Sequence, residues 1–182
     1  IALHRNLVAQ ARAAFGAVHF DRYQFLLAVS DRIGGIGLEH HRSSENQLEP
    51  AAFTEWDKFD FDRNLLPHEY AHSWAGKYRR PARMWTPDYR QPMQDDLLWT
   101  YEGQDQFWGT VLAARSGLQG KDIVLGMLEE RLGKDDARAG FVLDGYPRNL
   151  AQARALEQLL ARLQQPVDIA VQLDVDTALL VE

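Results

Sequence analysis

The chain has 182 residues, enough for one domain of ordinary size or two small ones. Its 46% apolar and 25% charged residues are those of a globular protein, and a net charge of −6 argues against a nucleic-acid partner. There is no cysteine, which excludes disulfides and thiolate metal sites, and no apolar run approaches the roughly 20 residues of a membrane span. The compartment stays open, with the cytoplasm favoured; the start at Ile1, without a signal-like segment, reads as a cut.

Residues 1–14 are Ala-rich and read as a weak helix without function. The run HFDRYQFLLAVS, 19–30, reads as a strand, feeding the glycine-rich stretch Gly34-Gly35-Ile36-Gly37-Leu38-Glu39-His40-His41. Glycines there permit unusual backbone or close approach of a ligand. Glu39 is either a carboxylate offered to a cationic substrate group or a solvated side chain on a flexible turn. Residues 42–60, polar and acidic, read as loop.

A helix is expected from Asp62 until the basic cluster Lys77, Tyr78, Arg79, Arg80 and Pro81 stops it. It carries His68-Glu69-Tyr70-Ala71-His72. Positions 68 and 72 are one helical turn apart, so both imidazoles project from one face at a spacing that suits one zinc ion. Glu69 is placed to reach a metal-bound water without being a ligand, and so to move its proton. The same five residues also fit two ordinary surface histidines.

Prolines 81, 87 and 92 stiffen an extended loop, and a second helix runs from about Asp95 or Asp96 to Gly117. Within it, Glu102 stands among Trp99, Tyr101 and Phe107. Buried, it needs a basic partner or a metal, and two histidines need a third protein ligand, so Glu102 is the candidate. The alternative is a glutamate in solvent. Trp74, Trp85, Trp99 and Trp108 read as packing rather than substrate contacts.

Taken together, GGIGLEHHRSS, HEYAHSWAGKYRRPARMWTPDY, LLWTYEGQDQFWG and LAARSG, over about 18–118, resemble the catalytic core of the glycyl aminopeptidase family of zinc metallopeptidases, which belong with the gluzincins. The resemblance implies one zinc per chain on His68, His72 and Glu102, Glu69 as general base, and a peptide substrate with a free N-terminus. The glycine-rich stretch is similar to the G-x-M-E-N strand of related aminopeptidases, which implies that Glu39 binds the substrate's amino group. Here the motif has an extra glycine and reads Glu-His. No tyrosine among Tyr70, Tyr78 and Tyr101 is assigned to the oxyanion by its spacing.

After Gly120 the character changes. A helix at 122–132, a strand at 141–147, a helix at 149–164 and a strand at 169–175 predict a parallel α/β unit. DIVLGMLEERL, GFVLDGYPRNLAQARAL and DIAVQLDVDTALLVE resemble adenylate kinase, in that family's order. The likeness implies that Asp144 lies near magnesium and phosphates, and that Arg148 and Gln152 contact a nucleoside monophosphate. No G-x-x-x-x-G-K-[ST] loop occurs in the 182 residues, so phosphoryl transfer is not expected. The lid that would follow Glu182 is also missing.

The fold class expected is therefore α/β of the mixed α+β kind: a zinc-metallopeptidase helical core with a preceding strand, then a partial parallel α/β unit of nucleoside monophosphate kinase type. The parts divide as 1–120 and 121–182, joined within SGLQGKD. The function expected is aminopeptidase-type hydrolysis. The alternatives are a nucleotide-binding module without catalysis and a non-enzymatic chimeric scaffold. The resemblance to the peptidases lacks that family's N-terminal β-rich region and its downstream helical region, and the surface left open there predicts self-association.

Overall fold

The computed structural model describes residues 1–141, 143 and 150–170, leaving aside the side chains of 121, 151 and 152. It divides into two compact units, Ile1–Val124 and Leu125–Glu182. The class is mixed α/β: the described residues form five α-helices and one three-stranded mixed sheet.

In the first unit, α1 (Ala2–Phe15) is followed by β1 (Gln24–Val29), β2 (Gly37–Glu39) and β3 (Ser43–Leu48), then α2 (Leu65–Ala71) and α3 (Leu98–Ser116). Strand order is β1-β3-β2. β1 runs parallel to β3, from Gln24↔Ser43 to Val29↔Leu48, and β2 runs antiparallel to it, from Gly37↔Asn46 to Glu39↔Ser44. The core collects Leu7 and Ala11 of α1, Leu48 of β3, Leu66, Tyr70 and Ala71 of α2, and Leu112 and Ala113 of α3. Phe15 stacks on Trp74 at 4.7 Å, and both pack against it.

Several expectations change. The segment read as loop supplies β3, the central strand. Its sequence SSENQL hides it, because three of its buried side chains, Ser44, Asn46 and Gln47, are polar and enter hydrogen bonds rather than apolar contacts. Asn46 Nδ2 donates to Leu26 O at 3.2 Å and to Ser44 Oγ at 3.0 Å, and both residues are buried. The apolar strand β1, six residues rather than twelve, lies instead at the sheet's edge, with Leu26, Leu27 and Val29 between 37% and 49% exposed.

A further change is in α2, which ends at Ala71 with His72 as its C-cap. Beyond it the chain tightens into turns, with the amides of Lys77, Tyr78 and Arg79 bonding to the carbonyls of His72, Ser73 and Trp74. Gly76, at φ 148°, is where that turn bends, and a side chain there would strike the Tyr101 ring. α3 does stop at Gly117, whose φ of 80° suits the left-handed C-cap. Trp85 and Trp99, expected as packing residues, are 61% and 74% exposed.

In the second unit, α5 (Leu150–Leu163) places Leu156, Leu159 and Leu160 against Leu132 of α4 (Lys121–Leu132), with Phe141 and Leu143 alongside. Phe141, Leu143, Ile169 and Ala170 lie in no regular structure, and the remainder of the two strands expected at 141–147 and 169–175 falls outside the described residues. Among the described residues, no helix is long and apolar enough to cross a membrane.

Candidate metal centre

On α3, Glu102, Asp105, Gly109 and Leu112 follow one another at i, i+3, i+7 and i+10, so they share a face. That face lies against α2. A Cβ on Gly109 would come within 2.9 Å of the His68 Cα and 3.0 Å of Asn64 Oδ1, so glycine lets the two helices approach backbone to backbone. The approach sets Glu102, two turns before Gly109, over the histidines at 68 and 72.

Three donor atoms converge there. His68 Nε2 and His72 Nε2 are 3.1 Å apart, and Glu102 Oε2 lies 3.4 Å from the first and 3.5 Å from the second. Zinc bonds to nitrogen and oxygen of about 2.0–2.2 Å place tetrahedral ligand atoms roughly 3.3–3.6 Å from one another. The donor set fits that ion. Glu102 is half exposed, which leaves a side of the site open for a small fourth ligand.

Behind the histidines stands a residue that the sequence reading missed. Asp105 is fully buried, and its Oδ2 lies 2.9 Å from His72 Nδ1. A carboxylate on one ring nitrogen fixes the ring's orientation and directs the other nitrogen, Nε2, at the metal position. Burial pulls the His72 pKa down, but the Asp105 carboxylate, with Glu39 and Glu102 further off, outweighs it and raises the pKa on balance. Burial pushes Asp105 up to about 6, against the opposing pull of His72. His68 is lowered by burial and by the His72 charge beside it.

Glu69 is buried on the sheet side of α2. Gly37 makes its seat, since a Cβ on Gly37 would collide with Glu69 Oε1. The other oxygen, Oε2, has no hydrogen-bond partner among the described residues. Burial raises its pKa to about 7, moderated by His72 and reinforced by the carboxylates of Glu39, Glu102 and Asp105. A carboxyl poised near neutrality can both take and return a proton.

Glu39, at the end of β2, accepts a 2.6 Å hydrogen bond from the Tyr101 hydroxyl and lies 3.1 Å from Lys77 Nζ, both at Oε1. Burial alone would raise its pKa. The Tyr101 bond, its own backbone amide and the Lys77 charge bring it down to about 2. Glu39, Glu69 and His72 form a second group whose donors all lie within 4.8 Å. The two groups share His72, and with Nδ1 against Asp105 only Nε2 is available, so one ion would use one set. Glu39 is already held by a lysine, which favours His68, His72 and Glu102.

Beside this group, Glu39, Lys77, Arg80, Met84, Tyr101 and Glu102 line a cavity of about 130 Å³. Asp144 and Arg148 lie outside the described residues, as does the side chain of Gln152.

Residues 61–146, which hold both helices of the centre, match the family model of the M61 glycyl aminopeptidases. The chain also matches adenylate kinases. Two likenesses meet in one chain. That of Xanthomonas euvesicatoria pv. vesicatoria (strain 85-10) is 61% identical over 69 residues, 38% of this chain and 37% of the relative. That of Stenotrophomonas maltophilia (strain K279a) is 59% identical over 73 residues, 40% of this chain and 38% of the relative. The chain thus spans under two-fifths of the length of these curated relatives. Glu39 and its strand lie outside the matched peptidase residues.

Proposed function

We propose that the chain is a zinc-dependent hydrolase of peptide bonds, of aminopeptidase type, with residues 1–120 as its partial catalytic core. The observation that carries this reading is the convergence of His68, His72 and Glu102 on one point, with the buried Glu69 carboxyl next to it. His68, His72 and Glu102 would hold one zinc. When bound, zinc supplies Lewis acidity, which makes water acidic enough to react near neutral pH and polarises a carbonyl.

Every remaining part belongs to the chain. Asp105 holds the His72 ring in place. Glu69 takes the proton of the attacking water as its oxygen bonds to the peptide carbonyl carbon, and then gives that proton to the amine nitrogen as the C–N bond breaks. Glu39 orients the substrate by its α-ammonium, which limits cleavage to the first peptide bond.

Elemental analysis of the purified chain tests the centre. One zinc per chain, lost in His72→Ala, is expected; folded protein without zinc would overturn the reading. Hydrolysis of alanyl and glycyl anilides should vanish in Glu69→Gln while its zinc content stays at one.

The adenylate kinase likeness favours a second reading for residues 121–182: a piece that binds a nucleoside monophosphate through Asp144, Arg148 and Gln152 without phosphoryl transfer. A rise in melting temperature with adenosine monophosphate, absent in Arg148→Ala, would support it.

A further inference from the structure

We infer that Lys77 is a built-in competitor for the substrate's amino group, and therefore a specificity-determining residue of the centre. The inference rests on the aminopeptidase reading of Glu39 given above. A lysine ammonium and a peptide α-ammonium present the same chemistry: a compact positive charge with up to three N–H donors. Lys77 Nζ stands 3.1 Å from Glu39 Oε1, where that group would have to sit.

The local structure explains how the lysine arrives there. α2 ends one residue before His72, and the Lys77 amide bonds back to the His72 carbonyl at 2.9 Å. Gly76, without a side chain, lets the turn pass against the Tyr101 ring. Lys77 is thereby delivered to the same carboxylate oxygen that the Tyr101 hydroxyl binds at 2.6 Å. Arg80, anchored by its Nε to Gly76 O at 2.9 Å, adds a second cation to the cavity. An incoming ammonium thus meets a carboxylate already paired with Lys77, with Arg80 as a second cation and Glu102 as the other carboxylate of the cavity.

A tethered charge competes at an effective concentration in the millimolar range. Apparent affinity falls in proportion to the fraction of molecules in which Glu39 is free. The lysine's flexible four-carbon stem allows it to swing away, so the competition is reversible. Small amines should therefore bind weakly, and a substrate must supply peptide-backbone contacts to displace Lys77.

The test is calorimetric titration of the full chain, with and without one equivalent of zinc, using alaninamide and N-acetylalaninamide as probes. Lys77→Met should bind alaninamide about tenfold more tightly than the unaltered chain. Lys77→Arg, whose planar guanidinium grips a carboxylate through two bonds, should bind it more weakly than the unaltered chain. The acetylated probe should distinguish none of them, and Glu39→Gln on the Lys77→Met background should cancel the gain. Equal or weaker binding of alaninamide by Lys77→Met, or no binding by either chain, would overturn the inference. If Lys77→Met does not fold, Lys77→Arg decides, since binding as tight as the unaltered chain's or tighter overturns it alone. Zinc stoichiometry is read separately, so a chain that holds zinc while failing these titrations loses the competitor and keeps the metal centre.

Discussion

At the scale of the residue, the centre depends on carboxylates that do different work because their surroundings differ. Asp105 is paired with His72. Replacing it with Ala should leave the three donor residues in place but free the ring to turn, and zinc affinity should fall about 10- to 100-fold in a chelator competition. Glu39 allows a test through pH. Its folded pKa of about 2 lies below the unfolded 4.5, so its contribution is fully present above pH 4.5 and is lost as pH falls towards 2. That contribution is on the order of 3 kcal/mol at most. Urea titrations from pH 5 to 2.5 should show the unaltered chain losing stability faster than Glu39→Gln. Parallel curves would remove Lys77 and Tyr101 as stabilising partners. The spacing of His68 and His72 is visible in sequence because four residues make one helical turn. Asp105 was equally available, three residues after Glu102 and four before Gly109 on one helical face. What concealed it was that a buried second carboxylate has no meaning until its histidine is seen.

At the scale of the element, α2 and α3 form one device, and Gly109 is its contact point. A methyl group there meets backbone, which cannot rotate away as a side chain could. Gly109→Ala should cost about 1–3 kcal/mol in denaturant titration despite alanine's better helix propensity, and should weaken zinc binding as well. An alanine variant as stable as the parent would mean that the helices have room to spare. The sheet teaches the opposite lesson about legibility. β1 was readable from Phe25, Leu26, Leu27 and Val29, while β3 escaped because Ser44, Asn46 and Gln47 are buried through hydrogen bonds. Hydropathy detects strands rich in apolar residues, which β1 is even at an exposed edge, and the central strand here buries amides.

At the scale of the whole molecule, the chain divides into two compact units, Ile1–Val124 and Leu125–Glu182, and ligands should act on them separately. Zinc at 100 times its Kd should stabilise the unit containing α2 and α3 by about 2.7 kcal/mol. Calorimetric scans should then move only that unit's transition, and the transition of the unit holding Leu156, Leu159 and Leu160 should stay still. A common shift would mean that the two unfold together. The class of the fold was legible from alternating patterns along the chain. The bounds of α1, α4 and α5 and the stop of α3 at Gly117 were legible to within a residue or two, but the end of α2 at Ala71 was not, since the turn that follows is shaped by Gly76 against Tyr101, far apart in sequence.

The order of the three strands carries a consequence for how the molecule is assembled in time. β2 and β3 are joined by the three residues 40–42 and can pair as a local hairpin. β1 must wait: each of its residues pairs with one nineteen positions later, and it gains a neighbour on one side only. Closing the longer loop is the slower and entropically costlier event, so β1 docks last and departs first. In native-state hydrogen exchange its amides should lose protection before those of β3, and Glu39, carried by β2, should stay in place while β1 is away.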